Sequence, residues 1–172
     1  MTCKSCSGYL GYIDRQSEGI RLFKWRLSSP VFLPQEPSIA YVLAAQLLSI
    51  TLSQCVSRIV IHPHPDLGIQ SSSQDALSCW VFGPSIRYSS SGFLEQSHHE
   101  NGKLAMKVFW QSLSSSDEVA TMIGKENVED LLLPSQAISE LRQSLEHSAS
   151  ILPPSARKFQ QWNVGLLERY DT

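Results

Sequence analysis

From Gly19 to Leu27 (GIRLFKWRL), apolar Ile20, Leu22, Phe23, Trp25 and Leu27 alternate with Arg21, Lys24 and Arg26, with one slip where Leu22 meets Phe23. A period of two predicts a half-buried strand. Beyond the loop SSPVFLPQEP, Pro37 and Ser38 mark a helix start with Ser38 as N-cap. Ile39, Leu43, Leu47 and Ile50 then recur on one helical face, and Val42, Ala44, Ala45 and Leu48 widen it. The stretch from Ser38 to Ser57 carries no charge, but polar residues interrupt it well short of the roughly 20 apolar residues a bilayer requires. It predicts a buried, central helix.

RIVIH (Arg58 to His62) predicts a short strand closed by HPHP, since Pro63 and Pro65 lack backbone donors. ALSCWVFG and GPSIRYSSSG predict two strands about a kink at Gly83 and Pro84, as a hairpin or a bent edge. KLAMKVFWQSL (Lys103 to Leu113) alternates cleanly and predicts a long strand with one buried face. SLSSSDEVATMIGKENV reads as a polar linker with a single helical turn. VEDLLLP predicts a short buried strand, and Ser135 to Ser148 a helix with Ile138, Leu141, Leu145 and the later Leu152 aligned. SARKFQQW predicts a short helix after Pro154, and NVGLLERY a terminal strand. Helices and strands do not alternate regularly. The expected fold is α+β, a mostly antiparallel sheet packed with two main helices, in a single domain over residues 1–172.

Composition changes this picture little. The 172 residues are 42% hydrophobic and 17% charged, with serine supplying much of the polarity. A formal net charge of -2 gives no electrostatic reason to expect nucleic acid or an acidic membrane, and points to protein partners. No basic segment leading into an apolar run precedes the four cysteines, Cys3, Cys6, Cys55 and Cys79, so a reducing compartment and unbridged thiols are expected.

The candidate chemistry centres on Cys3-Lys4-Ser5-Cys6, whose spacing lets two thiolates share one edge of a tetrahedral zinc ion. No second pair follows at finger-like spacing, so the motif is half a site; His62 and His64, or His98 and His99, are the residues able to complete it. A redox role lacks the helix N-terminus that activates such pairs. Cys55 and Cys79 lie in apolar surroundings and read as small buried hydrophobes. Serine-nucleophile and phosphate-loop motifs are absent. Trp25, Trp80, Trp110 and Trp162 fall on or beside predicted strands, where core packing is the default. Asp66 and the Glu129-Asp130 pair read as solvated surface.

The order of segments resembles the HECT-like ubiquitin-conjugating-enzyme-binding proteins, a eukaryotic group regarded as unconventional ubiquitin ligases. The similarity runs from CKSCSGYLG and IRLFKWRL, through CWVFGPSIRYSSS and LAMKVFWQ, to LPPSARKFQQWNVGLLERY, its most specific block. The resemblance implies binding to a ubiquitin-conjugating enzyme and support of ubiquitin transfer in cytoplasm and nucleus. It also implies association with the messenger RNA 3′-end cleavage machinery, through its metallo-β-lactamase-fold RNA endonuclease.

Under this resemblance Cys3 and Cys6 become partner contacts, offering thiolates to a zinc ion shared with the partner rather than to an internal one. Arg157 and Trp162 of the terminal block are the further candidate partner-binding residues, with Arg157 suited to a carboxylate. Phe159 and Trp162, three apart on the predicted short helix, are expected to dock one core face, and Gly165 to permit a bulge or close approach. Family members carry segments ahead of their Cys pair, so this chain is expected to be a C-terminal part. HECT ligases hold a thioester cysteine near the C-terminus, whereas the last cysteine here is Cys79, which argues against direct thioester catalysis.

Overall fold

The computed structural model describes residues 1–5, 8–14, 18–27, 38–64, 76–89 and 102–170. A two-stranded hairpin, β1 (Gly11–Asp14) with β2 (Gly19–Leu22), precedes helix α1 (Ile39–Gln54). Strands β3 (Arg58–Pro63), β4 (Ala76–Tyr88) and β5 (Lys103–Leu113) lead to α2 (Ser116–Ile123), β6 (Val128–Leu133) and α3 (Ser135–Ala149). A short 3-10 turn at Pro154–Ala156 and the hairpin of β7 (Lys158–Phe159) and β8 (Trp162–Glu168) close the order. Six strands form one sheet ordered β6-β3-β4-β5-β8-β7. Every pairing in it is antiparallel except that of β3 with β6. The fold is therefore α+β with a mostly antiparallel sheet, as expected.

Alternation along the central strands divides the sheet into two faces. On the inner face, Ile59, Ile61, Leu77, Cys79, Met106, Val108, Trp110 and Leu167 pack against Leu43 and Leu47 of α1 and Ile138, Leu141 and Leu145 of α3. Twelve of these thirteen side chains are fully excluded from solvent, each of the large apolar ones contributing on the order of 1.5–3 kcal/mol of burial. Ile39 and Ile50 of α1 join the same cluster partly buried, completing the predicted stripe. On the outer face α2 covers only one corner, where Val119, Met122 and Ile123 lie against Val60, Ala76 and Leu113. Phe109, Trp162 and Val164 form a separate outer cluster with Trp80 and Leu152.

Five expectations are corrected. The strand predicted over Gly19 to Leu27 stops at Leu22, and Lys24–Arg26 turns as a 3-10 helix; the Leu22/Phe23 slip is where the alternation fails. The two strands about Gly83 and Pro84 are one strand, β4, with register shifts between Val81 and Ile86. Pro84 is tolerated because β3 pairs only as far as Trp80, leaving that part of β4 with β5 alone. Strand β5 is buried on both faces, not one, because Phe109 and Leu113 pack outward while Met106, Val108 and Trp110 pack inward.

The supposed linker after β5 holds a third helix, α2, and it is started by side chains. Ser115 Oγ accepts from the Glu118 amide at 3.2 Å, and Glu118 Oε2 accepts from the Ser114 amide at 2.6 Å. Finally, SARKFQQW is not a helix. Phe159 and Trp162 face each other as a cross-strand pair of the β7–β8 hairpin, and Gln160 turns the chain with φ of 53°.

Candidate functional site

The N-terminal cysteine motif sits in a tight arm. The Cys3 amide donates to Gly8 O at 2.8 Å, the Leu10 amide to Met1 O at 3.0 Å, and the terminal ammonium to Gly11 O at 2.9 Å. Thr2 and Tyr9 thus face each other antiparallel, with Cys3 half-buried; Cys6 lies outside the described residues. One side of the adjoining β1–β2 hairpin is apolar and open, with Ile13 and Ile20 paired across the strands at 62% and 61% exposure. The other side anchors the arm, since Tyr12 packs on Phe23 and on His64, and Phe23 stacks on Trp25 at the edge of the inner core.

Of the histidines proposed as companions, His62 faces Asp130 across β3 and β6 with Nε2 to Oδ2 at 3.3 Å, and His64 lies against the Tyr12 ring. His98, His99 and Asp66 lie outside the described residues. Among the described residues no group of three or more His, Cys, Asp or Glu is placed to hold a metal. The donor set seen here does not by itself make a zinc site.

The terminal block is built around the end of α3. Arg157 Nε and an Nη donate to the carbonyls of Leu152 (2.9 Å) and Ser150 (3.1 Å), fixing the chain as it leaves the helix. Arg157 is otherwise exposed. Leu152, aligned in sequence with the inner-face residues of α3, instead crosses to the outer cluster because the helix ends at Ala149. Gly165 is a point of close approach: a Cβ there would lie 2.8 Å from Leu145 Cδ2 and 2.9 Å from Leu145 O. One residue on, the Leu166 amide is satisfied by the buried Ser148 hydroxyl at 2.8 Å, which in turn donates to Leu145 O. That bond fills a donor on β8 where β7 has already ended.

Five aromatic rings gather on the outer face. Phe109 is stacked between Phe82 (4.9 Å) and Phe159 (5.1 Å), and Trp80 meets Phe82, Phe109 and Trp162 edge-on. Trp162 and Phe109 are buried, but Phe82 and Phe159 are 55% and 45% exposed. Sequence reasoning assigned the tryptophans to packing and did not single out Phe82. The available signal was the Gly-Pro directly after it, which shifts the strand register and turns Phe82 toward solvent.

Beside this cluster Glu168 gathers three donors: Tyr41 Oη at 2.8 Å, Tyr88 Oη at 2.9 Å and Lys103 Nζ at 3.0 Å. Burial raises the carboxyl pKa, but the hydrogen bonds from Lys103, Tyr41 and Tyr88 outweigh it and hold the group below its ordinary value. Burial and the bond to Glu168 push Tyr41 up to about 12 and raise Tyr88 as well. The network holds a carboxylate ionised and two phenols protonated. It is suited to locking α1 onto the sheet, not to moving protons at neutral pH.

The thiols divide sharply. Cys79 is wholly buried on the inner face, and desolvation pushes it up to about 12, so it is an inert core residue as expected. Cys55, also expected to be buried, is exposed instead. It follows the last turn of α1 in the left-handed region at φ 57°, a position that turns its side chain away from the core.

Comparison with known families identifies the chain. The profile described as HECT-like ubiquitin-conjugating enzyme (E2)-binding matches residues 1–164, from the cysteine arm into β8. The chain belongs to this family. As a member of the HECT-like E2-binding family, it has its matched region ending on the strand that carries Trp162 and Val164. Searches of curated proteins and of solved structures gave no match.

Proposed function

We propose that this protein binds a ubiquitin-conjugating enzyme and promotes ubiquitin transfer as an adaptor-like ligase, without carrying ubiquitin on a thioester of its own. The observation that carries the reading is the family match over residues 1–164. The adaptor form is supported by two of the four thiols: Cys79 is sealed in the core, and Cys55 has no histidine or carboxylate contact among the described residues, its Sγ lying 4.0 Å from Leu52 O.

Mixing the purified chain with ubiquitin-charged conjugating enzymes should give a stable complex and faster discharge of ubiquitin, with no reductant-sensitive ubiquitin adduct on the chain. A panel of charged enzymes showing neither complex nor faster discharge defeats the reading. An adduct that dithiothreitol removes would replace it with a thioester relay.

A second reading, a non-catalytic partner of the metallo-β-lactamase-fold RNA endonuclease acting in cytoplasm and nucleus, is favoured by the arm that presents Cys3. The bond from the Cys3 amide to Gly8 O holds Cys3 in the N-terminal arm, and the reading takes its thiolate, with that of Cys6, to an ion shared with the partner. Changing Cys3 and Cys6 together to Ser should abolish capture of the endonuclease and leave the unfolding midpoint unchanged. Undiminished capture removes this reading.

A further inference from the structure

The outer aromatic cluster has two properties that a merely solvated sheet face does not require. Its end rings, Phe82 and Phe159, are about half exposed. Its two cations have no carboxylate partner among the described residues: the Arg58 guanidinium lies 5.4 Å from the Trp80 ring, and Lys107 Nζ lies 5.7 Å from Phe82 and 5.4 Å from Phe109. Glu168, on the strand next to Lys107, is already taken up by Lys103, Tyr41 and Tyr88. In a protein of net charge -2, this is a patch of positive charge set on apolar rings, with no carboxylate paired to it among the described residues.

The charge and the exposed rings decide what kind of ligand fits. Phe82 and Phe109 stand on neighbouring strands with their rings face to face, so the rings rise from the sheet and use their faces on one another. Phe109 itself is buried, and the rings that reach solvent are Phe82 and Phe159. The two cations attract carboxylates, and the half-exposed rings beside them an apolar side chain. Aromatic and arginine side chains beside a buried apolar centre are also the composition of protein-binding hot spots.

We propose that this face is the docking surface for the ubiquitin-conjugating enzyme, through a segment of that enzyme in which carboxylates flank an exposed apolar side chain. The apolar group seats against Phe82 and Phe159, and the carboxylates meet Arg58 and Lys107. The inference rests on the function proposed above and assigns it a surface distinct from the cysteine arm. Trp80 and Phe109 hold the platform; the exposed rings and the cations touch the partner.

The test measures the affinity of the intact chain for a panel of purified conjugating enzymes, as a function of salt. One variant carries Phe82→Ser and Phe159→Ser, a second carries Arg58→Glu and Lys107→Glu, and Leu52→Ser on the exposed side of α1 is the control. Near-ultraviolet circular dichroism and the unfolding midpoint establish that each is folded; the charge variant, which alters no packed apolar group, keeps the test valid if the double serine variant is not.

Both variants should bind about tenfold more weakly or worse, the charge variant should lose the salt dependence, and Leu52→Ser should bind as wild type. Wild-type affinity in the folded variants overturns the docking face and leaves the enzyme-binding function standing, whereas a wild-type chain that binds no member of the panel overturns both. Loss of affinity on removing the rings but not on reversing the charges overturns the acidic chemistry assigned to the partner. A short labelled single-stranded RNA that binds the wild type and is released by both variants would reassign the face to nucleic acid.

Discussion

Three donors from three elements converge on Glu168, so one carboxylate ties the start of α1, the end of β4 and the start of β5 to β8. Its pKa is lower folded than unfolded, so its charge stabilises the fold at pH above the ordinary carboxylate value, and the contribution is lost as pH falls through the folded value. Glu168→Gln should therefore lower stability by about 1–2 kcal/mol at neutral pH, with the difference from wild type shrinking in acid. Urea unfolding at a series of pH values checks this, and a constant gap would show that the amide is merely a poorer fit. Gly165 is a steric counterpart. A methyl group there meets Leu145 backbone at 2.9 Å, which cannot move without shifting α3. Gly165→Ala should cost about 1–3 kcal/mol and lower the unfolding midpoint. Cys55 runs the other way, since a non-glycine residue at φ 57° is strained; Cys55→Gly should raise stability by about 0.5–1 kcal/mol in the same urea titration.

At the scale of elements, what was legible in the sequence was whatever had a long, unbroken period. Helices α1 and α3 and strands β3, β5 and β6 begin and end within a residue or two of their predicted bounds, because their apolar stripes are long and their ends carry Ser, Pro or Asn signals. Helix α2 was hidden by composition. SSSDEVATMI looks polar, and only the Ser115-to-Glu118 spacing betrays a helix start. Ser115→Ala should cost about 1 kcal/mol and speed amide exchange in Ser116–Ile123 more than in α3; equal change in both helices would mean that the cap is not local. The β7–β8 hairpin was misread because KFQQW lacks Gly, Asn or Asp, the usual left-handed turn residues, and Gln160 takes that conformation regardless. The candidate site was legible in its cysteine motif and its terminal aromatics but not in its geometry. Whether Phe159 and Trp162 share a helix face or a strand pairing depends on pairing of β8 with β5, more than fifty positions away, that no local pattern reveals.

For the whole molecule, two surfaces built on different sheets stand out: the two-stranded hairpin beside the cysteine arm with its open Ile13/Ile20 side, and the ringed outer face of the six-stranded sheet. The proposed adaptor role predicts that changes at one leave contacts made through the other intact. Cys55 supplies the matching control, for an exposed thiol with no histidine or carboxylate contact among the described residues should be dispensable. Cys55→Ser is expected to retain the full acceleration of ubiquitin discharge, and a loss beyond twofold would put that thiol in the transfer path.

The position of β8 also governs how the molecule comes into being. This last strand pairs along β5, the long middle strand of the sheet, and brings the Leu166 amide to Ser148. Until it emerges from the ribosome, the nascent chain carries β5 with one whole side of its backbone unpaired and Phe109 uncovered, a template for association with any other extended strand. A transcript interrupted before codon 162 would on this account yield not a weaker binder but an aggregate.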